Sequence, residues 1–168
     1  MELYKGKKEQ LCTYIVFSIY FLLLIWLVVF KFTTRLDELP NLRAINLIPF
    51  YYDQENSMHF KEVLYNVMVF IPAGFYLSAF FSRKNVLLGT AATVLISLSF
   101  EIIQWIFSIG ASDITDIITN SLGGLCGMLL FMALGKITAK HRMTIVNVLG
   151  IIIEVLAGLM LVLLYVSN

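Results

Sequence analysis

The chain has 168 residues, of which 60% are hydrophobic and only 14% are charged. A soluble domain carries about 25% charged residues, so the composition argues against a soluble globular protein and predicts an integral membrane protein. The formal net charge of +1 provides no basic surface for nucleic acid.

Five apolar runs have the roughly 20 residues that a helix needs to cross a bilayer. They are Leu11–Phe30, about Glu62–Phe81, about Val86–Phe107, about Asp113–Leu134 and about Thr144–Val166. The first run has no small-residue cleavage site after it, so we expect it to be retained as a span. No internal repeat or linker divides the chain. We therefore predict an all-α polytopic membrane protein, with five transmembrane helices in one domain of residues 1–168.

Basic residues in short loops predict the orientation of such a chain, because they are retained on the cytoplasmic side. They occur before the first run, between the second and third, and between the fourth and fifth: Lys5, Lys7, Lys8, Arg83, Lys84, Lys136, Lys140 and Arg142. The loop Ser108–Ser112 and the C-terminal tail have none. This pattern predicts a cytoplasmic N-terminus and an external C-terminus, with Ser108–Ser112 and the long first loop also external.

Polar residues cluster where the third and fourth runs meet. We predict a turn at Gly110 that makes these runs a tight antiparallel hairpin. Gln104 and Asp116 are each six residues from Gly110, and Glu101 and Asn120 are nine and ten residues away. At 1.5 Å per helical residue, we expect Gln104 to pair with Asp116 and Glu101 to pair with Asn120, about 5–12 Å below the helix ends.

Glu101 and Gln104 share one face of the third run, since they are three residues apart. On the fourth run, Asp113, Asp116 and Asn120 recur at spacings of three and four and also share a face. Asn66 is expected about one turn below the outer end of the second run. Arg43 and Asn46 of the first loop are expected to fold back over the outer end of these helices. We thus predict a polar pocket in the outer leaflet, formed by the second, third and fourth helices. Its candidate binding residues are Arg43, Asn46, Asn66, Glu101, Gln104, Asp113, Asp116 and Asn120.

Several of these residues also have structural interpretations. Either Ser112 or Asp113 is a suitable N-cap, and Asp116 is a first-turn acid that the helix dipole favours. Asn66 is also placed to satisfy the backbone carbonyl that Pro72 releases.

Ser97 and Ser108 lie on the same stripe as Glu101 and Gln104, and we interpret them as packing or backbone-bonding residues.

Glu101 is the strongest functional candidate, because a carboxylate at membrane depth costs several kcal/mol unless it is paired or protonated. No Lys or Arg falls inside any of the five runs. Its expected partners are therefore Gln104, Asn120, Asn66 or Arg43.

A second acid, Glu154, lies in the middle of the fifth run. Asn147, Gly150 and Gly158 share its face, which we expect to pack against the other helices. Glu154 is either a proton carrier or a glutamic acid that holds two helices together.

The spacing of Gly123 and Gly127 predicts a close approach between the fourth helix and a neighbour.

Three classes of function remain open for the predicted pocket. The first is a site that binds or modifies an outer-leaflet amphiphile. The second is an enzyme with Glu101 and Asp116 as catalytic candidates, acting by acid–base chemistry or with a divalent cation held by Glu101, Asp113 and Asp116. The third is a small transporter in which Glu101 and Glu154 carry protons. The cluster contains no histidine, which argues against zinc.

Three stretches resemble the VanZ family: "NLIPF", "NVMVFIPAGF" and "FEIIQWIFSIGASDITDIITNSLGGLCG". The resemblance extends from about Asn41 to Leu134. Many members have a basic residue in the turn where this chain has "SIGAS". The matching motif positions are Arg43, Asn46, Pro49, Asn66, Pro72, Glu101, Gln104, Asp113, Asp116, Asn120 and Gly123.

The resemblance implies a multi-pass protein of the bacterial plasma membrane that reduces sensitivity to glycopeptide antibiotics, above all teicoplanin. It supplies no catalytic mechanism. Teicoplanin-type drugs carry an acyl chain, and the lipid-linked wall precursor presents its head group at the outer face. The expected partners are therefore membrane lipids, the wall precursor or the drug itself.

Overall fold

The computed structural model describes residues 6–30, 39, 41–51, 56–81, 85–138 and 141–167. These residues form five long helices and two short strands: α1 Lys7–Val29, β1 Leu42–Asn46, α2 Asn56–Phe80, α3 Val86–Phe107, β2 Ile109–Asp113, α4 Ile114–Ile137 and α5 Arg142–Ser167. All five helices are long and apolar enough to cross a membrane, where a helix satisfies its own backbone hydrogen bonds. The predicted five-helix architecture is confirmed.

The helix bounds differ from the predicted runs mainly at the N-terminal ends. Helix α3 has the predicted bounds, whereas α1 and α2 begin four and six residues earlier. Asn66 therefore lies ten residues into α2, deeper than the single turn that we predicted. Lys5, Arg83, Lys84 and Lys140, on which the predicted orientation partly rests, lie outside the described residues.

The connection between α3 and α4 is a strand, so the predicted turn at Gly110 is wrong. Strands β1 and β2 pair in parallel, with Leu42 opposite Ile109 and Asn46 opposite Asp113. Ser108 ends α3 in the left-handed conformation, with φ 56°, and the extended chain after it obtains its backbone partners from β1. We call the end of the bundle that carries β1 and β2 the ribbon end.

Helices α2 and α4 approach each other closely through glycines. A Cβ atom at Gly123 would collide with the backbone oxygen of Val67, and one at Gly127 would collide with that of Ile71. The predicted close approach of the fourth helix is therefore confirmed, and its neighbour is α2. This contact joins the middle of α2 to the middle of α4.

Helix α1 interrupts the hydrogen bonding of α2 beside Pro72. The Tyr20 hydroxyl donates to the backbone oxygen of Val69 at 2.6 Å and accepts from the Ala73 N–H at 3.1 Å. An inserted side chain and a proline are both established causes of helix bends. Tyr20 belongs to the buried apolar core that joins all five helices.

Helix α5 packs against the bundle through its first half. The Asn147 amide donates to Thr13 Oγ1 at 2.9 Å, and Gly150 lies against Val16 and Tyr76. A Cβ atom added at Gly158 would have no neighbour within 4 Å in the part of the chain that the structure describes. The predicted packing face of α5 is thus present around Asn147 and Gly150 and absent at Gly158.

Candidate functional site

Glu101 is 3% exposed and is held by two residues of β2. Its Oε2 atom accepts a hydrogen bond from the Asp113 N–H at 2.9 Å, and Ser112 Oγ donates to its backbone oxygen at 2.7 Å. The partners that we predicted for Glu101 were wrong, because Arg43, Asn66, Gln104 and Asn120 direct their side chains to other groups. The backbone of β2 takes their place.

Asp113 links three elements at the ribbon end. Its Oδ1 atom accepts from the Thr115 N–H at 2.7 Å, which confirms the predicted N-cap of α4. Its Oδ2 atom accepts from Asn46 Nδ2 of β1 at 3.1 Å. Because the Asp113 N–H binds Glu101 of α3, this residue fixes β1, α3 and α4 relative to one another.

A cavity of about 370 Å³ lies beside this network. Its polar lining is the contiguous set Asn46, Glu101, Ser112 and Asp113. The remaining lining is apolar and comprises Ile45, Leu47, Leu98, Ile102, Trp105, Ile106, Ile114 and Ile117. The expected polar pocket between the second, third and fourth helices is therefore corrected to a mainly apolar cavity formed by α3, α4 and the two strands, and none of its described lining residues belongs to α2. Such a lining suits an amphiphile with an apolar chain and a smaller polar part.

Asp116 joins α2 to α4 and lies outside the cavity lining. Its Oδ1 atom accepts from Asn66 Nδ2 at 2.7 Å, and its side chain is 9% exposed. The alternative in which Asn66 satisfies a carbonyl released by Pro72 is therefore wrong. A charge-assisted hydrogen bond of this kind ties the two helices together.

Asn120 and Gln104 are also buried ties between helices. Asn120 Nδ2 donates to Ser97 Oγ at 2.9 Å, and Gln104 Nε2 donates to the backbone oxygen of Val28 at 3.0 Å. The predicted pairs of Gln104 with Asp116 and of Glu101 with Asn120 do not form. A strand advances about 3.3 Å per residue and a helix 1.5 Å, so equal counts from Gly110 do not give equal depths.

Arg43 caps the C-terminal end of α3. Its guanidinium donates to the backbone oxygens of Trp105 and Ile106 and to Ser108 Oγ, each at 3.1 Å. It also lies 5.0 Å from the centre of the Trp105 ring, within the range of a cation–π interaction. A cation at this position neutralises the negative end of the helix dipole, and it holds the start of β1 against α3.

The described residues contain no group of three His, Cys, Asp or Glu side chains placed to hold a metal ion. The alternative in which Glu101, Asp113 and Asp116 share a divalent cation does not fit this arrangement. Both Asp113 oxygens accept hydrogen bonds from protein groups, and Asp116 is directed toward Asn66 of α2.

Hydroxyl side chains contribute more to the site than the sequence indicated. Ser112 lines the cavity, and Thr115 Oγ1 accepts from the Phe50 N–H at 3.0 Å. Ser97 and Ser108, which we interpreted as packing or backbone-bonding residues, instead accept from the side chains of Asn120 and Arg43. The sequence offered one signal for Ser112 and Thr115, which is their position within two residues of the acid Asp113.

Comparison with known proteins adds two findings. The model of the family described as VanZ/LLP1 matches residues 17–135, which is most of the chain. The chain is also 39% identical over 142 residues to Protein VanZ of Enterococcus faecium, covering 83% of this chain and 86% of that protein. No solved structure matches it significantly.

Proposed function

The chain belongs to the VanZ family, and we propose that it lowers sensitivity to lipidated glycopeptide antibiotics such as teicoplanin. It acts at the ribbon-end cavity on an outer-leaflet amphiphile: a membrane lipid, the lipid-linked wall precursor or the drug. It resides in the bacterial plasma membrane as a multi-pass protein with its ribbon end facing the cell exterior.

The distribution of charge supports this orientation. Lys7, Lys8 and Lys136 all lie at the end of the bundle opposite the ribbon. Because basic residues are retained in the cytoplasm, that end is cytoplasmic and the cavity opens near the outer leaflet. Arg43 lies at the ribbon end, where its charge is directed to the carbonyls that end α3.

The observation that carries the proposal is the composition of the cavity wall. The cavity surface is almost wholly apolar, and Asn46, Glu101, Ser112 and Asp113 are the polar residues of its lining. An acyl or prenyl chain satisfies the apolar lining, while hydroxyl, amide or amine groups near its head donate to the carboxylates. Lipidated glycopeptides and lipid-linked precursors both carry an apolar chain together with hydrogen-bond donors.

The test is expression of the protein in a teicoplanin-sensitive bacterium. We expect a higher inhibitory concentration of teicoplanin and a smaller change for a glycopeptide that lacks an acyl chain. Equal inhibitory concentrations with and without the protein, at a membrane level confirmed by immunoblot, would overturn the proposal.

Mass spectrometry then separates modification from binding. Lipids and wall precursors are compared between resistant cells and cells without the protein. A new or missing species would assign the resistance to an enzyme in which Glu101 is the candidate acid–base residue. Unchanged chemistry with altered drug at the cell surface would assign it to binding of the amphiphile.

A further inference from the structure

The segment Leu47–Tyr51 exposes an unbroken set of apolar side chains beside the cavity. Leu47 is 74% exposed, Ile48 60%, Phe50 55% and Tyr51 52%, and Pro49 between them is also exposed. Contiguous exposed apolar side chains mark an interaction surface in most proteins.

Hydrogen bonds at both ends fix the shape of this segment. Asn46 Oδ1 accepts from the Ile48 N–H at 3.1 Å, and Asn46 Nδ2 donates to the Tyr51 backbone oxygen at 3.4 Å. Phe50 donates its N–H to Thr115 Oγ1 and has a φ of 57°. An aromatic residue adopts this left-handed conformation only at a cost, and such strain clusters at functional sites. The apolar side chains are therefore presented in a defined arrangement.

The same hydrogen bonds set the depth of the segment. Thr115 is in the first turn of α4, and Asn46 binds the N-cap residue Asp113. The segment thus lies level with the end of a membrane-spanning helix. That level is the boundary between head groups and acyl chains, where aromatic side chains such as those of Phe50 and Tyr51 are enriched.

We propose that Leu47–Tyr51 inserts into the interfacial layer of the leaflet at the ribbon end. Leu47 also lines the cavity, so the inserted segment forms the lip of the cavity and places its mouth in contact with lipid. A ligand with an acyl or prenyl chain then enters laterally from the leaflet and not from water. This insertion does not depend on the proposed resistance function.

Fluorescence quenching tests the insertion. Ile48→Cys is labelled with an environment-sensitive fluorophore after Cys12 and Cys126 are replaced by serine, and the protein is reconstituted in equal parts of phosphatidylglycerol and phosphatidylcholine. We expect blue-shifted emission that nitroxides on the acyl chains quench strongly and aqueous iodide quenches weakly. Gly6→Cys, which is exposed before the polar first turn of α1, is the control and should be quenched by iodide supplied on both sides of the membrane.

Two results would overturn the proposal. The first is a probe at Ile48 as accessible to iodide as the probe at Gly6. The second is a probe shielded from both quenchers, which would assign the segment to a protein contact.

Phe50→Asn supplies an independent check, because asparagine tolerates a positive φ but lacks the apolar ring. The Ile48 probe should become shallower at an unchanged melting temperature, and an unchanged depth would contradict an anchoring role for Phe50.

Discussion

Glu101 of α3 and Glu154 of α5 are both acids deep in apolar helices, but their surroundings differ. Glu101 is buried, is bonded by the N–H of Asp113 and lines a cavity together with three other polar residues. Glu154 is half-buried and is not among the described residues that line either cavity. The same residue type is thus part of a polar network in one region and lies at the margin of the bundle in the other.

The cavities of the two regions differ in the same way. The ribbon-end cavity, of about 370 Å³, includes two carboxylates in its lining. A second cavity of about 210 Å³ between α2 and α5 is lined by apolar residues and Tyr76. A void between membrane helices is therefore not sufficient to indicate a site. Both cavities have almost wholly apolar surfaces, and the two acids in its lining, Glu101 and Asp113, distinguish the ribbon-end cavity.

The largest expected effect separates the two acids. Glu101→Gln preserves size but replaces the acid beside the cavity with an amide, so teicoplanin protection should be lost. Glu154→Gln should protect as well as the parent. The measurement is the inhibitory concentration at equal membrane abundance of each variant.

If Glu154→Gln lost protection and Glu101→Gln retained it, Glu154 would be the functional acid and Glu101 would not. Together with drug efflux that collapses with the proton gradient, this result would favour a proton-coupled transporter.

A smaller effect is expected on the free energy of unfolding when one hydrogen bond in each region is removed. Asn66 binds the carboxylate of Asp116, and Asn147 binds the hydroxyl of Thr13. Bonds to charged groups contribute about 1.5–3 kcal/mol and neutral ones about 0.5–1.5 kcal/mol. Asn147 Oδ1 also has no hydrogen-bond partner among the described residues, so removing Asn147 deletes an unsatisfied oxygen as well. Asn66→Ala should therefore lower the free energy of unfolding in detergent more than Asn147→Ala does.

Equal losses of unfolding free energy for these two variants would show that the hydrogen bond from Asn66 to Asp116 adds little to stability. A double-mutant cycle with Asp116→Ala measures that coupling directly.

The five helices were predictable because bilayer thickness sets the length of an apolar run. The close approach of α4 to a neighbouring helix was predictable because the small residues Gly123 and Gly127 recur on one helix face, but the identity of that neighbour as α2 was not. The N-cap at Asp113 followed from the preference of short acids for that position. Each of these features depends on residues that are close together in the sequence.

The ribbon was not predictable, because it pairs two short segments that are far apart in the chain. "LRAIN" and "IGASD" carry no alternating pattern long enough to indicate strands. Without the ribbon, the partner of Glu101 and the apolar lining of the cavity were also beyond prediction. Gln104 was misplaced for a related reason, since nothing local indicates that α3 lies against the carbonyls at the end of α1.

Filling each cavity in turn tests the central claim most directly. Ile102 lines the ribbon-end cavity, Ile153 lines the cavity between α2 and α5, and both are about half exposed. Tryptophan at either position adds similar bulk without altering a hydrogen bond. At equal membrane abundance and melting temperature, Ile102→Trp should abolish teicoplanin protection and Ile153→Trp should retain it. Full protection by Ile102→Trp would contradict a role for the ribbon-end cavity.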